Sequence, residues 1–129
     1  MVIDHIGLLV SDFARARAFY AQALAPLGIP AIMEMGAEET GGPRYAGFGR
    51  NGKPEFWIGS GERTAPHVHV AFAAADRATV RAFHEAALAA GGRDNGGPGL
   101  RPEYHPNYYG AFVLDPDGHN IEAVCHRPE

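Results

Sequence analysis

The chain has little of what would tie it to several common classes of protein. One cysteine, Cys125, in 129 residues excludes an internal disulfide framework and suits a reducing compartment. No block of Lys or Arg forms a basic stripe, and the net charge is −4, so nucleic acid and anionic membrane are poor partners. No apolar run is long enough to cross a bilayer, and Asp4 and His5 interrupt the start where a signal peptide would need an uncharged apolar stretch. A soluble cytoplasmic protein is expected. What remains is an ordinary globular composition, 46% hydrophobic, enough for one compact domain or two small halves sharing a core. Seven histidines are a mild excess for this length.

The most telling stretch is the last, Asp115-Pro116-Asp117-Gly118-His119-Asn120-Ile121-Glu122-Ala123-Val124. Its first four residues read as a tight turn, with Pro116 presetting φ and Gly118 free to take a positive one. In the strand that follows, Ile121, Ala123 and Cys125 share one face, and Glu122 and Val124 the other. A carboxylate inside a late apolar strand is costly unless paired, hydrogen-bonded or bound to a metal. His5 and His69 are the candidates to meet Glu122.

Taken in order, residues 2–10 read as a strand, and Ser11 or Asp12 caps a helix carrying Phe13, Ala16, Phe19, Tyr20, Ala23, Leu24 and Leu27 at helical spacing. Residues 29–35 form a plausible strand and 36–43 a loop. Residues 45–49 and 55–59 are two strands joined by the Asn51-Gly52 hairpin signal. Residues 59–66 form the best linker. The second half begins like the first: a strand at 67–73, an Asp76-capped helix with Val80, Phe83, Ala87 and Leu88, and a stop at Gly91-Gly92. A poor Gly-rich strand follows, then the polar aromatic loop 100–109, a strand at 110–114 and the Glu122 strand.

The halves align at an offset of 64 residues: His5 with His69, Asp12 with Asp76, Arg17 with Arg81, Phe19 with Phe83, Leu24 with Leu88. The reading is an α+β chain of two β-α-β-β-β modules, about residues 1–62 and 65–129, forming curved mixed sheets around a central cavity. A pseudo-twofold would place His5 and His69 across that cavity. The first-half counterpart of Glu122 is Trp57, with Phe56 the alternative; Glu55, on the Trp57 face, takes its place if the register slips. Two histidines and one carboxylate make a facial triad with open positions for a substrate bearing two neighbouring oxygens. A divalent ion there acts as a Lewis acid on developing oxyanion charge.

With DHIGLLVSDFARARAFYAQAL at the start, HVAF in the middle and DPDGHNIEAV at the end, the chain resembles the vicinal oxygen chelate superfamily. That superfamily holds glyoxalase I, extradiol dioxygenases, fosfomycin-resistance transferases and bleomycin-resistance proteins. The resemblance implies a homodimer binding a small-molecule substrate, with His5, His69 and Glu122 as ligands of iron, manganese, zinc, nickel or cobalt. Glyoxalase I places a fourth ligand where Trp57 stands, so the resemblance is nearer to dioxygenases and fosfomycin enzymes. The chemistry is then isomerase or lyase, or ring-cleaving dioxygenase; the bleomycin-resistance branch offers sequestration without chemistry. Loop 100–109 is the expected substrate lid. His105 and Tyr109 join Glu122 as expected catalytic groups, and Trp57, Arg101, Tyr104 and Tyr108 as substrate contacts, with one of Tyr108 and Tyr109 facing the cavity. His67 is placed at the rim, His119 on the surface in its turn, His84 and His126 as exposed residues, and Cys125 as an inert buried thiol.

Overall fold

A computed structural model describes residues 3–129. The first module runs β1 (Ile6–Val10), α1 (Phe13–Ala23), a 3-10 turn (Ala25–Leu27), β2 (Ala31–Met35), a short α2 (Ala37–Thr40), β3 (Tyr45–Arg50) and β4 (Lys53–Ser60). The second runs β5 (His69–Ala73), α3 (Arg77–Ala89), β6 (Arg93–Leu100), β7 (Tyr109–Leu114) and β8 (Asn120–Cys125). The stretch expected as a loop at 36–43 thus contains one helical turn, closed by the Glu39 carboxylate on the Gly36 amide.

The duplication is visible in the hydrogen bonding. Asp12 and Asp76, 64 residues apart, both cap their helices by accepting from the backbone amide three residues on, Arg15 and Thr79. The sheets have the same strand order, β1-β4-β3-β2 and β5-β8-β7-β6, with first and last strands parallel and the rest antiparallel. In the first module the hairpin between β3 and β4 turns on Asn51 and Gly52, both at positive φ (57° and 75°), as its sequence requires.

Each sheet has one helix-covered face and one open face. Alternation sends Leu8, Val10, Ala46, Phe48, Phe56 and Ile58 toward α1, and Ala111, Val113, Ile121, Ala123 and Cys125 toward α3; all are buried in one core. α1 and α3 pack on each other, so the two helical layers are shared. Polar ties reinforce the junction: the buried Tyr20 hydroxyl of α1 donates to the Asp115 carboxylate, and Ser11 donates its amide to Asp117. The Asp-Pro-Asp-Gly turn therefore serves both modules. Its Asp115 also accepts from the amides of Asp117 and His119, which satisfies a carboxylate only 3% exposed.

His119, expected on the surface, is fully buried: its Nδ1 accepts from the Val68 amide and its Nε2 has no partner. The turn folds it inward because the same residue joins Asp115 to β5. No helix among the described residues is long and apolar enough to cross a membrane.

Candidate metal and substrate site

The open face of the second sheet carries the strongest polar constellation. Glu122 in β8 is 0% exposed although it lies on that open face, because Tyr108, Phe112 and His69 close over it. Its Oε1 is 2.7 Å from His69 Nε2, and the Tyr108 hydroxyl donates to Oε2. Burial and the Glu122 carboxylate push the Tyr108 phenol far above its ordinary range, so it stays a proton donor. Gly110 makes room for the pair: a Cβ there would lie 3.0 Å from Glu122 Oε2 and 3.2 Å from the Tyr108 ring.

A divalent ion fits this pair. The His69 side chain is half exposed, so its Nε2 can be reached from the open face, and exchanging its proton for a cation leaves an imidazole and a carboxylate as neighbouring donors. The hydrogen bond from Tyr108 orients the Glu122 carboxylate, as an outer partner would orient a ligand.

His5 is not brought to this pair within one chain. It lies on the open face of the first sheet, exposed, with Nδ1 2.8 Å from Asp4 Oδ1. There it lines a groove of about 590 Å³ with Asp4, Gly7, Met35, Tyr45, Lys53, Pro54 and Trp57. Among the described residues no three His, Cys, Asp or Glu side chains gather closely enough to hold a metal ion. The expected meeting of His5 and His69 therefore does not occur inside a single chain, because the helical layers, not the open faces, are what the modules share.

The register identifies the counterpart of Glu122. Gly7 and Gly47 flank Trp57 as Ala71 and Phe112 flank Glu122. Trp57, not Glu55 or Phe56, holds the equivalent inward position; Phe56 is in the core, and Glu55 lines a separate cavity of about 300 Å³ beside Phe72.

The remaining expected residues are distributed unevenly. Tyr109, expected as a catalytic group, faces the helix side, its hydroxyl 3.3 Å from Arg81 and its ring beneath Arg77; strand alternation that sends Ala111 and Val113 to the core takes Tyr109 with them, away from the Glu122 face. His105 touches the Tyr108 ring, but its Nε2 is 2.8 Å from His126 Nδ1 and does not reach Glu122. His126, expected as an ordinary exposed residue, stacks on His105 and edges onto Tyr108, and no pattern in the sequence marked it. Arg101 spends its guanidinium on the carbonyls of Gly99 and Gly97 and lies over Phe112. Tyr104 is 62% exposed with its ring against Tyr108. His84 pairs with Asp94, holding that carboxyl below its usual range.

Paired βαβββ modules, each presenting an open sheet face with ligand-capable side chains, define the vicinal oxygen chelate fold. The chain belongs to the Glyoxalase/Bleomycin resistance protein/Dioxygenase superfamily, which it matches over residues 2–123. Among solved structures it is similar to a glyoxalase/bleomycin resistance protein from Albidiferax ferrireducens T118, with 27% identity, a TM-score of 0.75 and coverage of 99% of this chain and 100% of that one. A glyoxalase I mutant from Zea mays shares the fold at 23% identity and a TM-score of 0.74, over 95% of this chain and 46% of that one. So does a fosfomycin resistance protein, FosX, from Listeria monocytogenes, complexed with Mn(II) and 1S,2S-dihydroxypropylphosphonic acid, at 20% identity and a TM-score of 0.68 over 98% and 95% of the two chains. No curated protein matches the sequence.

Proposed function

We propose that the whole chain is one glyoxalase-like domain of a cytoplasmic metalloenzyme that holds a small organic substrate by two adjacent oxygens. The reaction is of isomerase or lyase type, or ring-cleaving oxygenation. The observation that carries this reading is the buried Glu122 carboxylate facing His69 Nε2 at 2.7 Å on an open sheet face. A buried carboxylate there stabilises nothing in the core, and a cation is the natural partner for it. His69 and Glu122 would hold the ion, iron, manganese, zinc, nickel or cobalt; bound, it would polarise the substrate oxygens as a Lewis acid.

The third ligand in this reading is His5 of a second copy. Each chain offers half a site on each open face, so a homodimer that apposes first and second modules completes two centres. In this reading Tyr108 gives a proton or a hydrogen bond beside Glu122, and Trp57, Arg101 and Tyr104 contact the substrate; the hydrogen bond from Tyr108 to Glu122 supports the first role. His105 acts through the Tyr108 ring, as a positioning residue.

A second reading, a sequestering protein of the bleomycin-resistance kind, is favoured by one observation: an indole stands where a fourth ligand could be. Elemental analysis of protein purified without added metal or chelator separates the two. About one transition-metal ion per chain in the wild type, lost in Glu122→Gln with the fold intact, supports the enzyme; metal-free wild type, or metal unchanged in the variant, overturns it.

A further inference from the structure

The groove on the first module holds a surface that metal chelation does not require. Trp57 is half-buried, and the six-membered ring of its indole lies against β3 at Gly47: a Cβ there would come within 2.9 Å of Cη2 and 3.0 Å of Cζ2. On the other side Gly7 of β1 offers no side chain, and a Cβ there would meet only the Trp57 stem at 3.7 Å. Both strands bordering Trp57 thus carry glycine beside it, while Pro54 is packed so closely that it would also lie 2.9 Å from a Gly47 Cβ. The indole is thus bordered by bare glycine backbone, and it lines the groove.

Met35 and Tyr45 form the further wall of that groove, and the charged groups at its rim, Asp4, His5 and Lys53, are already engaged with one another. Lys53 donates to the Asp4 carbonyl at 2.8 Å and pairs with its carboxylate at 3.3 Å. The rest of the lining, Gly7, Met35, Tyr45, Pro54 and Trp57, carries no charge. The groove's volume, about 590 Å³, lies in the range of small-molecule sites.

We infer that Trp57, seated on Gly47 and Gly7, is a stacking platform that selects ligands carrying a planar aromatic ring. A ring stacked there gains dispersion and quadrupole contact that a saturated ring of the same size cannot match. The inference refines the substrate class of the site proposed above, yet its test needs neither metal nor adjacent oxygens, so the two stand or fall separately.

The probe is 2-naphthol, which has a single oxygen, compared with its saturated analogue decahydro-2-naphthol, both in the presence of chelator. Trp57 is the sole tryptophan, so its indole N–H gives one assignable NMR signal. The expected result is that 2-naphthol shifts this signal and binds about tenfold more tightly by calorimetry than the saturated ring, and that Trp57→Leu erases the preference while Trp57→Phe keeps part of it. Equal affinities, a preference that survives Trp57→Leu, or an indole signal unmoved at saturating 2-naphthol overturns the inference. The last measurement uses the wild-type protein, so it decides the matter even where a variant fails to fold.

Discussion

Trp57 and Glu122 occupy one station in two copies of the same sheet: Trp57 lies between Gly7 and Gly47, Glu122 between Ala71 and Phe112. Duplication gave the two positions a common geometry, and substitution gave them different chemistry. One offers a half-buried aromatic ring lining a groove; the other offers a carboxylate removed from water. In the proposed site this difference is an asymmetry: the candidate ligands His69 and Glu122 lie on the second module, and the aromatic Trp57 on the first.

Tyr108 and Tyr109 are adjacent in sequence and opposite in consequence. Tyr108→Phe removes the hydroxyl that donates to Glu122 Oε2 and should weaken metal binding by about 10–100-fold, the usual effect of losing an outer hydrogen-bond partner. Tyr109→Phe should leave metal binding unchanged, since that ring packs under Arg77 and Arg81. Competition with a colorimetric chelator measures both.

Gly110→Ala probes the same pair by crowding. The new methyl would press on Glu122 Oε2 and the Tyr108 ring from about 3 Å. Overpacking of this kind costs about 1–3 kcal/mol. Urea unfolding should register the loss, together with a lowered metal affinity that a remote destabilising change would not produce.

Tyr20 links stability to alkaline pH. Burial raises its phenol well above the ordinary range, and the Asp115 carboxylate adds to the effect. A pKa raised by folding contributes stability that is complete below the unfolded value, about 10, and is lost as pH rises through the folded one. Wild-type stability should therefore decline above about pH 10, and Tyr20→Phe should lose that component of the decline. At neutral pH the variant should be less stable by about 1–3 kcal/mol, because Asp115 Oδ2 loses its donor. Denaturant titrations at pH 7 and about pH 11 test both statements.

Metal itself should stabilise the fold. At a free concentration of a hundred times its dissociation constant, the preferred ion adds about 2.7 kcal/mol. Calorimetric scans with and without that ion should show the rise in wild type and none in Glu122→Gln.

The repeat was legible because its markers are local. Asp12 and Asp76 cap helices by the same three-residue reach, and Asn51-Gly52 makes the turn its residues favour. Glu122 stood out because a carboxylate between apolar neighbours is conspicuous in a strand. The facing of Tyr108 and Tyr109 was not legible, since Gly110-Ala111-Phe112-Val113 is apolar on both faces and hides the alternation. Nor was the depth of His119 or the pairing of His126, which depend on how the turn and the tail pack. The hardest feature to read was the separation of His5 from His69. Equivalence in a repeat gives two positions the same surroundings, but it does not say whether they face each other in one molecule or in two.

That separation has a consequence for variants that are each inactive. In the proposed dimer, a chain carrying His5→Ala still contributes an intact His69–Glu122 pair, and a chain carrying Glu122→Gln still contributes an intact His5. Co-refolded, the two defective proteins should complement: every mixed pair regains one working centre and leaves the other doubly broken. Two chains mutated at both positions would have nothing to lend each other.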